Sequence, residues 1–314
     1  MATTASSQPT APHTLFNIHS QSTTSNVAPT TEASSTLIEI PRGDVLADLN
    51  FYVPPSDGAI PFMYVEAPPA GEPKDNYSRE TKQVLVHDIR GEESNYTLDK
   101  DAFAILKDLP PSSEAEFRDD KSIEEKYYPE VERLLLEQIP GASRVVIFDH
   151  TIRRSKPGAT REPVFRTHID QTASAARERV RRHCPSDAES LLQGRFRIIN
   201  VWRPLNGPVL SNPLAFASSH TVRNEDVVPV EHRYPDRTGY TASILYNEQQ
   251  RWNYLSGMTN QERILLECYD SEGEKPNSGV EGGRVPHTAF KTPRTPVGAP
   301  GRESIEVRTL VFGP

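Results

Sequence analysis

The second half of the chain carries a succession of short strand patterns divided by turns, and this pattern restricts the possible folds more than any other feature. In "RFRIINVWRPL" alternate side chains such as Ile198, Asn200 and Trp202 share one face of a strand. "TASILYNEQQRWNYL", "RILLECYD" and "SIEVRTLVF" are further strand candidates, with Gly, Pro, Asn and Asp turns between them. Many short strands after earlier helices predict an α+β chain built around a β-barrel or jelly roll, that is, a double-stranded β-helix with flanking helices.

The first half of the chain mixes strand and helix signals. "QVLVHDIRG" and "SRVVIFDHTI" predict strands. Ser122 and Glu125 have the spacing of a capping box, Pro129 suits a first helical turn, and "EVERLLLEQ" continues as a helix up to Pro140.

Two more helices are expected after residue 172. "TASAARERVRRH" reads as a helix that ends before Pro185, and a short helix is predicted from Ser186 to Gly194. The basic run from Arg177 to His183 is interpreted as a solvated helix face.

Residues 1–31 contain no Lys, Arg, Asp or Glu and are rich in Ser, Thr, Ala and Pro. Such a segment has little to bury, so residues 1–35 are predicted to form a disordered or loosely draped tail. Residues 36–314 are expected to form a single domain, with an N-terminal α/β elaboration over 36–150 and the jelly-roll core over 151–314.

Composition excludes several classes of function. The formal charge is -8, and Lys and Arg are scattered, so no patch for nucleic acid or anionic lipid is expected. No apolar run approaches the length of a membrane span. Two cysteines are too few for a disulfide framework, and no targeting signal is visible, which favours a cytoplasmic protein. A homodimer is possible.

The segment "FRTHIDQT" contains a His-x-Asp, formed by His168 and Asp170. On a strand these two side chains point to the same side, and with a second histidine they would make the facial triad of a non-haem iron site. The best second histidine is His287, in the extended segment "GGRVPHTAF" 119 residues later. His220 and His232 fall in Ser- and charge-rich loops, where a solvent-exposed role is expected. Chance alone supplies about one such tripeptide in this composition, so a structural role stays open on these residues alone.

The last strand presents polar residues on one face. Arg302, Ser304, Glu306 and Arg308 alternate with Ile305 and its apolar neighbours. A guanidinium with a hydroxyl two positions away suits a carboxylate ligand, whereas a solvent-facing strand is the plainer alternative.

Five segments in order carry a family resemblance: "THID", "INVWRPLNGPV", "QQRWNYLSGMTNQERILLECYDSE", "VPHTAF" and "RESIEVRTLVF". Together they resemble the gibberellin desaturase-like and cephamycin methoxylase-subunit-like proteins, many of which are encoded in natural-product gene clusters. The resemblance covers residues 84–314. It implies a jelly roll and an oxygenase that uses Fe(II), 2-oxoglutarate and O2.

The resemblance also assigns roles to residues. It implies that His168, Asp170 and His287 hold the iron, and that Arg302 with Ser304, or else Arg308, holds 2-oxoglutarate. Candidates for a substrate pocket follow from aromatic and basic character, with packing as the alternative role; they are Trp202, Arg203, Tyr246 and Trp252.

The function expected from this resemblance is hydroxylation, desaturation or oxidative cyclisation of a small natural-product intermediate, with succinate and CO2 as co-products. The alternative from another class is a non-catalytic jelly-roll binding protein or partner subunit of a biosynthetic enzyme. A zinc hydrolase with the same ligands is a weaker third hypothesis, because no general base stands beside them.

Overall fold

The computed structural model describes residues 15–16, 38–156 and 158–313. The tail predicted over residues 1–35 lies almost wholly outside the described residues. Its described part is a two-residue strand, β1 (Leu15–Phe16), which pairs antiparallel with β2 (Ile38–Glu39).

Nine strands form a large mixed sheet in the spatial order β3-β5-β13-β10-β15-β8-β12-β11-β4. Their bounds are β3 (Val45–Val53), β4 (Phe62–Tyr64), β5 (Ser78–Asp88), β8 (His168–Ile169), β10 (Leu214–Ala217), β11 (Val227–Arg233), β12 (Thr238–Ile244), β13 (Trp252–Tyr254) and β15 (His287–Ala289). Most neighbours pair antiparallel, while β11 with β4 and β13 with β5 pair in parallel.

Five strands form the second sheet, in the order β6-β14-β9-β16-β7. They are β6 (Phe103–Leu106), β7 (Arg144–Arg154), β9 (Phe196–Pro204), β14 (Arg263–Asp270) and β16 (Glu303–Phe312). Strand β7 crosses residue 150, where the sequence places a boundary, and β3 and β5 ahead of it belong to the nine-stranded sheet. The division of the domain at 150 stays a prediction.

The helices are α1 (Leu98–Asp101), α2 (Asp120–Ser122), α3 (Tyr128–Gln138), α4 (Ala173–His183) and α5 (Ala188–Leu191). A π-helical turn, Ile123–Tyr127, joins α2 to α3, and 3-10 turns occupy Glu93–Asn95, Ser219–Thr221, Asn224–Asp226 and Ser271–Glu274. Among the described residues, no helix has both the length and the apolar character needed to cross a membrane.

The start of the α2–α3 segment differs from the sequence prediction. Asp119 caps α2 by accepting the backbone N–H of Ser122 at 2.9 Å, so the helical segment begins earlier than the Ser122–Glu125 capping box implies. The Ser122 hydroxyl instead donates to the carboxylate of Glu114. The helix "TASAARERVRRH" is confirmed, and Thr172 caps it by accepting the N–H of Ala175 at 3.2 Å.

The alternation along β9 decides what each face of the five-stranded sheet covers. Ile199 and Val201 pack with Val131 and Leu135 of α3 in one core cluster. Trp202, on the other face, packs with residues of both sheets in a second cluster. Full burial of each large apolar side chain contributes about 1.5–3 kcal/mol, so α3 and the nine-stranded sheet are both held firmly on β9. The second face of β9 is the one that meets the candidate site.

Candidate metal centre

His168, Asp170 and His287 lie together between the two sheets. His168 on β8 is the direct cross-strand partner of His287 on β15, and their rings are 4.4 Å apart between centroids. Asp170 Oδ1 lies 3.4 Å from His168 Nε2 and 3.9 Å from His287 Nε2. One potential ligand atom from each residue lies within 4.8 Å of the others. Such convergence of two imidazoles and one carboxylate suits a single metal ion.

Backbone carbonyls fix the orientation of both imidazole rings. The Nδ1 of His168 is 2.8 Å from the carbonyl oxygen of Arg166, and the Nδ1 of His287 is 3.2 Å from that of Val285. An Nδ1–H that donates to a carbonyl leaves the Nε2 lone pair directed at the cavity. Burial, reinforced by His287, lowers the pKa of His168 to about 3, so this imidazole is neutral and can act as a ligand.

Two residues of the five-stranded sheet hold Asp170 in place. Its Oδ2 accepts from Asn200 Nδ2 at 2.8 Å and from Arg308 Nε at 3.2 Å, which leaves Oδ1 facing the histidines. Burial would raise the pKa of Asp170, but Arg308 and the two histidines outweigh it and hold the pKa well below its usual range. Asp170 is therefore a carboxylate.

The guanidinium of Arg308 binds other side chains of the protein. It donates to Asp149 Oδ1 and Thr151 Oγ1, each at 2.9 Å, and it also binds Glu306 besides Asp170. Burial lowers and these carboxylates raise the pKa of Arg308, with a strongly raised value as the result. Its charge is thus balanced within the fold.

Arg302 has no carboxylate partner within the described part of the chain. Its side chain is buried, with 3% exposure, and it lines the cavity of His168, Asp170 and His287. One guanidinium N–H donates to the carbonyl oxygen of Asn212 at 2.7 Å, whereas Nε meets no hydrogen-bond partner among the described residues. Burial, reinforced by the charge of Arg153, lowers the pKa of Arg302 to about 9.

The predicted substrate residues are divided between different places. Trp202 lines the cavity, and the guanidinium of Arg302 lies 5.4 Å from its ring centroid. Ser304 is buried on the strand that Arg302 precedes, opposite Arg153, but it is not among the cavity residues.

Arg203, Tyr246 and Trp252 lie away from this cavity. Alternation along β9 turns Arg203 to the opposite face from Trp202, where it stacks over Phe117 at 4.9 Å. Tyr246 and Trp252 pack against Phe51, with centroid distances of 5.2 and 5.9 Å. Each has a packing role, and substrate contact by the three stays a prediction.

The expectation that His232 is a solvent-exposed loop residue is wrong. It lies on β11, is half-buried and lines, together with Asp170, a larger cavity beneath helix α4. One ring nitrogen, Nε2, is 3.0 Å from Thr241 Oγ1. Burial, reinforced by Arg166, lowers the pKa of His232 to about 4. The Val-rich alternation of "VVPVEH" was the signal in the sequence that could have placed it on a strand.

A jelly roll that carries in one cavity two imidazoles, a carboxylate and a buried guanidinium without a carboxylate partner among the described residues defines the class of Fe(II)- and 2-oxoglutarate-dependent oxygenases. Residues 49–312 match the family model described as "Oxidoreductase/YMDC permease-like domain". The hydroxylase/desaturase poxK of Penicillium oxalicum is 40% identical over 88% of this chain and 94% of its own length. The Fe(II)/2-oxoglutarate-dependent dioxygenase nvfI of Aspergillus novofumigatus is 35% identical over 83% of this chain and 95% of its own length.

Solved structures give the same result. The iron and alpha-ketoglutarate-dependent endoperoxidase NvfI superimposes with a TM-score of 0.76 at 32% identity, over 87% of this chain and 99% of that chain. The chain belongs to this family of hydroxylases, desaturases and dioxygenases, and it is an oxidoreductase. The expected resemblance and the jelly-roll fold with flanking helices are confirmed.

Proposed function

We propose that His168, Asp170 and His287 hold Fe(II), and that Arg302 holds the far carboxylate of 2-oxoglutarate, in an enzyme that oxidises C–H bonds of a small natural-product intermediate. The single observation that carries the proposal is the buried Arg302, which has no carboxylate partner in the described part of the chain and shares the cavity of the three ligands. A buried cation of this kind is costly without an anion, and a dicarboxylate co-substrate supplies one.

The donor set suits iron. Two imidazoles and one carboxylate on neighbouring positions leave the other side of an ion open, as non-haem Fe(II) oxygenases require. When bound, iron and 2-oxoglutarate together activate O2 for C–H oxidation, with succinate and CO2 as co-products.

The residues of the chain supply binding and orientation. Asn200 and Arg308 hold Asp170 so that Oδ1 faces the ligand position. Arg302 offers a fixed, two-pronged donor to a carboxylate, and Trp202 covers its guanidinium. Ser304, two residues beyond Arg302, is the proposed second donor to the same carboxylate. The apolar Leu214 and Val164 complete the wall of the cavity.

Names of the relatives support an oxidation of a small organic molecule. One relative is named a hydroxylase/desaturase and another, in its solved structure, an endoperoxidase. We propose hydroxylation, desaturation or oxidative cyclisation for this chain.

The chain is proposed to act in the cytoplasm on a freely diffusing substrate, without nucleic acid. Both cysteines, Cys184 and Cys268, are buried and free, which is typical of a reducing compartment. A homodimer stays a prediction that light scattering of the purified protein checks.

Anaerobic titration of Fe(II) and 2-oxoglutarate into the full chain tests the proposal. We expect the weak visible charge-transfer absorption of an iron–2-oxoglutarate chelate at one equivalent of each, with loss of the band in His168→Ala. Stoichiometric iron binding without any 2-oxoglutarate-dependent band would refute the proposed function.

A further inference from the structure

A second cavity reaches Asp170 from the side of helix α4. The space between α4 and the strands β11 and β12 amounts to about 1060 Å³ when the part open to solvent is included. Its inner end is Asp170 with His232, and its outer part is lined by Arg179 and Arg182 of α4. The cavity is therefore a route from solvent to one of the proposed iron ligands.

The arrangement of the two arginines follows from helix geometry. Ala175, Arg179 and Arg182 are spaced so that they share one face of α4, and all three line the cavity. Arg179 and Arg182 lie about 9 and 14 Å along the helix from Ala173, given a rise of about 1.5 Å per residue. A cationic region of α4 and Asp170 therefore line the same cavity.

The carboxylates near this cavity already have other partners. Glu178 pairs with Arg181 at 2.7 Å, and Asp149 pairs with Arg308 at 2.9 Å. Asp170 is likewise held by Arg308 at 3.2 Å. These three carboxylates thus form their ion pairs with Arg181 and Arg308.

Arg179 and Arg182 form no hydrogen bond through the side chain and no ion pair within residues 38–156 and 158–313. Arg179 lies half-buried over the ring of Phe148, at 5.0 Å from its centroid, and burial lowers its pKa. A third cation of the cavity, Arg237, is by contrast paired with Asp236 at 3.3 Å. Two guanidinium groups that have no ion pair in the described part of the chain thus line a cavity that has room for an organic molecule, with Asp149 as the carboxylate that partly offsets the effect of burial on the pKa of Arg179.

We propose that this cavity is the substrate site and that the substrate carries an anionic group, such as a carboxylate, which Arg179 and Arg182 bind while its uncharged part lies beside Asp170 and His232. The inference rests on the proposed function, because the cavity is a substrate site only if Asp170 helps to hold the reactive metal. Of the basic run interpreted as a solvated helix face, Arg181 and Arg182 are exposed, whereas Arg179 is half-buried over Phe148.

Two fluorescent dyes that differ in charge test the site. The anionic dye 8-anilinonaphthalene-1-sulfonate and its uncharged analogue N-phenyl-1-naphthylamine are titrated into the full chain. In the double variant Arg179→Gln, Arg182→Gln, affinity for the sulfonate should fall about tenfold, since exposed and half-buried charge pairs are of modest strength, while the neutral dye keeps its affinity. Added salt should weaken binding of the sulfonate to the unaltered chain but not to the double variant.

Two further variants locate the effect. Ala175→Phe fills the cavity from the same helix face and should weaken both dyes. Arg118→Gln removes one positive charge at an exposed position, where the side chain only approaches Glu116 at 3.6 Å, and should change neither affinity. Melting curves establish that each variant is folded.

The proposal is overturned if the unaltered chain does not bind the sulfonate, if the double variant binds it as tightly as the unaltered chain does, or if Ala175→Phe leaves its affinity unchanged. Failure of the proposed function would give a different result. The iron–2-oxoglutarate absorption would be absent, while the dye affinities would still depend on charge.

Discussion

The side-chain amide of Asn200 donates to the Oδ2 of Asp170 at 2.8 Å, so a residue of the five-stranded sheet orients a proposed metal ligand that follows a strand of the nine-stranded sheet. The same carboxylate oxygen accepts from Arg308, the cross-strand neighbour of Asn200. Packing of the two sheets therefore sets the direction of Asp170 Oδ1. Both sheets must be folded against each other before the site can bind a metal.

Replacement of His287 by Ala should abolish stoichiometric Fe(II) binding, because the triad loses one of two imidazoles. Metal content after anaerobic loading and desalting measures the effect. His220→Ala is the matched control: His220 lies in a 3-10 turn, 3.5 Å from Asp101, and its removal should leave the metal content unchanged. Full iron occupancy in the His287 variant would remove this residue from the site.

The two arginines should separate in a 2-oxoglutarate titration. Loss of one partner of a buried ion pair typically costs about 3–5 kcal/mol, so Arg302→Ala should raise the 2-oxoglutarate requirement by about two orders of magnitude while iron still binds. Arg308→Ala should instead weaken iron binding and the fold, because it leaves Asp149, Asp170 and Glu306 without their cation. If only the Arg308 variant loses 2-oxoglutarate affinity, the two roles are exchanged.

Asn200→Ala should lower the affinity for Fe(II) about 10- to 100-fold, as loss of a partner that orients a metal ligand commonly does. Competition with a metal-binding dye measures it. Asn253 is a matched control, since it is also fully buried and donates to Ser218 Oγ at 3.2 Å. Asn253→Ala should reduce the melting temperature and keep the metal affinity. Equal metal affinity in both variants would contradict a role for Asn200 in orienting Asp170.

The metal-free protein should lose stability as the pH falls from about 6.5 to 4. The pKa of His232 is lowered to about 4 in the folded state, whereas that of an unfolded histidine is about 6.5. Within this window the unfolded chain binds more protons, so the free energy of unfolding rises with pH, by at most about 1.4 kcal/mol per pH unit for one group.

Urea unfolding at several pH values measures this slope. His232→Gln should make it shallower, and the difference between the two proteins should vary with pH below about 6.5 but stay constant at higher pH. An unchanged slope in the variant would show that His232 does not cause it.

The sequence determined the elements whose local signals agree with their surroundings. The pattern of "RFRIINVWRPL" gave β9 and its two faces, because successive side chains of a pleated strand point to opposite sides. The helix pattern of "TASAARERVRRH" and its end before Pro185 gave α4, while the structure added the cap at Thr172. The order of the five family segments gave the class of enzyme and the jelly roll, and these follow from residues whose identity is itself the signal.

Only the tertiary structure decided which polar residues meet. His168 and His287 are 119 residues apart, and pairing of β8 with β15 brings their rings together. Arg302 and Arg308 look alike on one strand face, yet only Arg308 meets the carboxylates of β7 and of Asp170. The charge left unpaired depends on what the neighbouring strands carry, and strand neighbours across a sheet are set by topology, which local patterns do not encode. His232 likewise lines a cavity because β11 pairs with β12, and residues of both strands line the cavity that reaches Asp170.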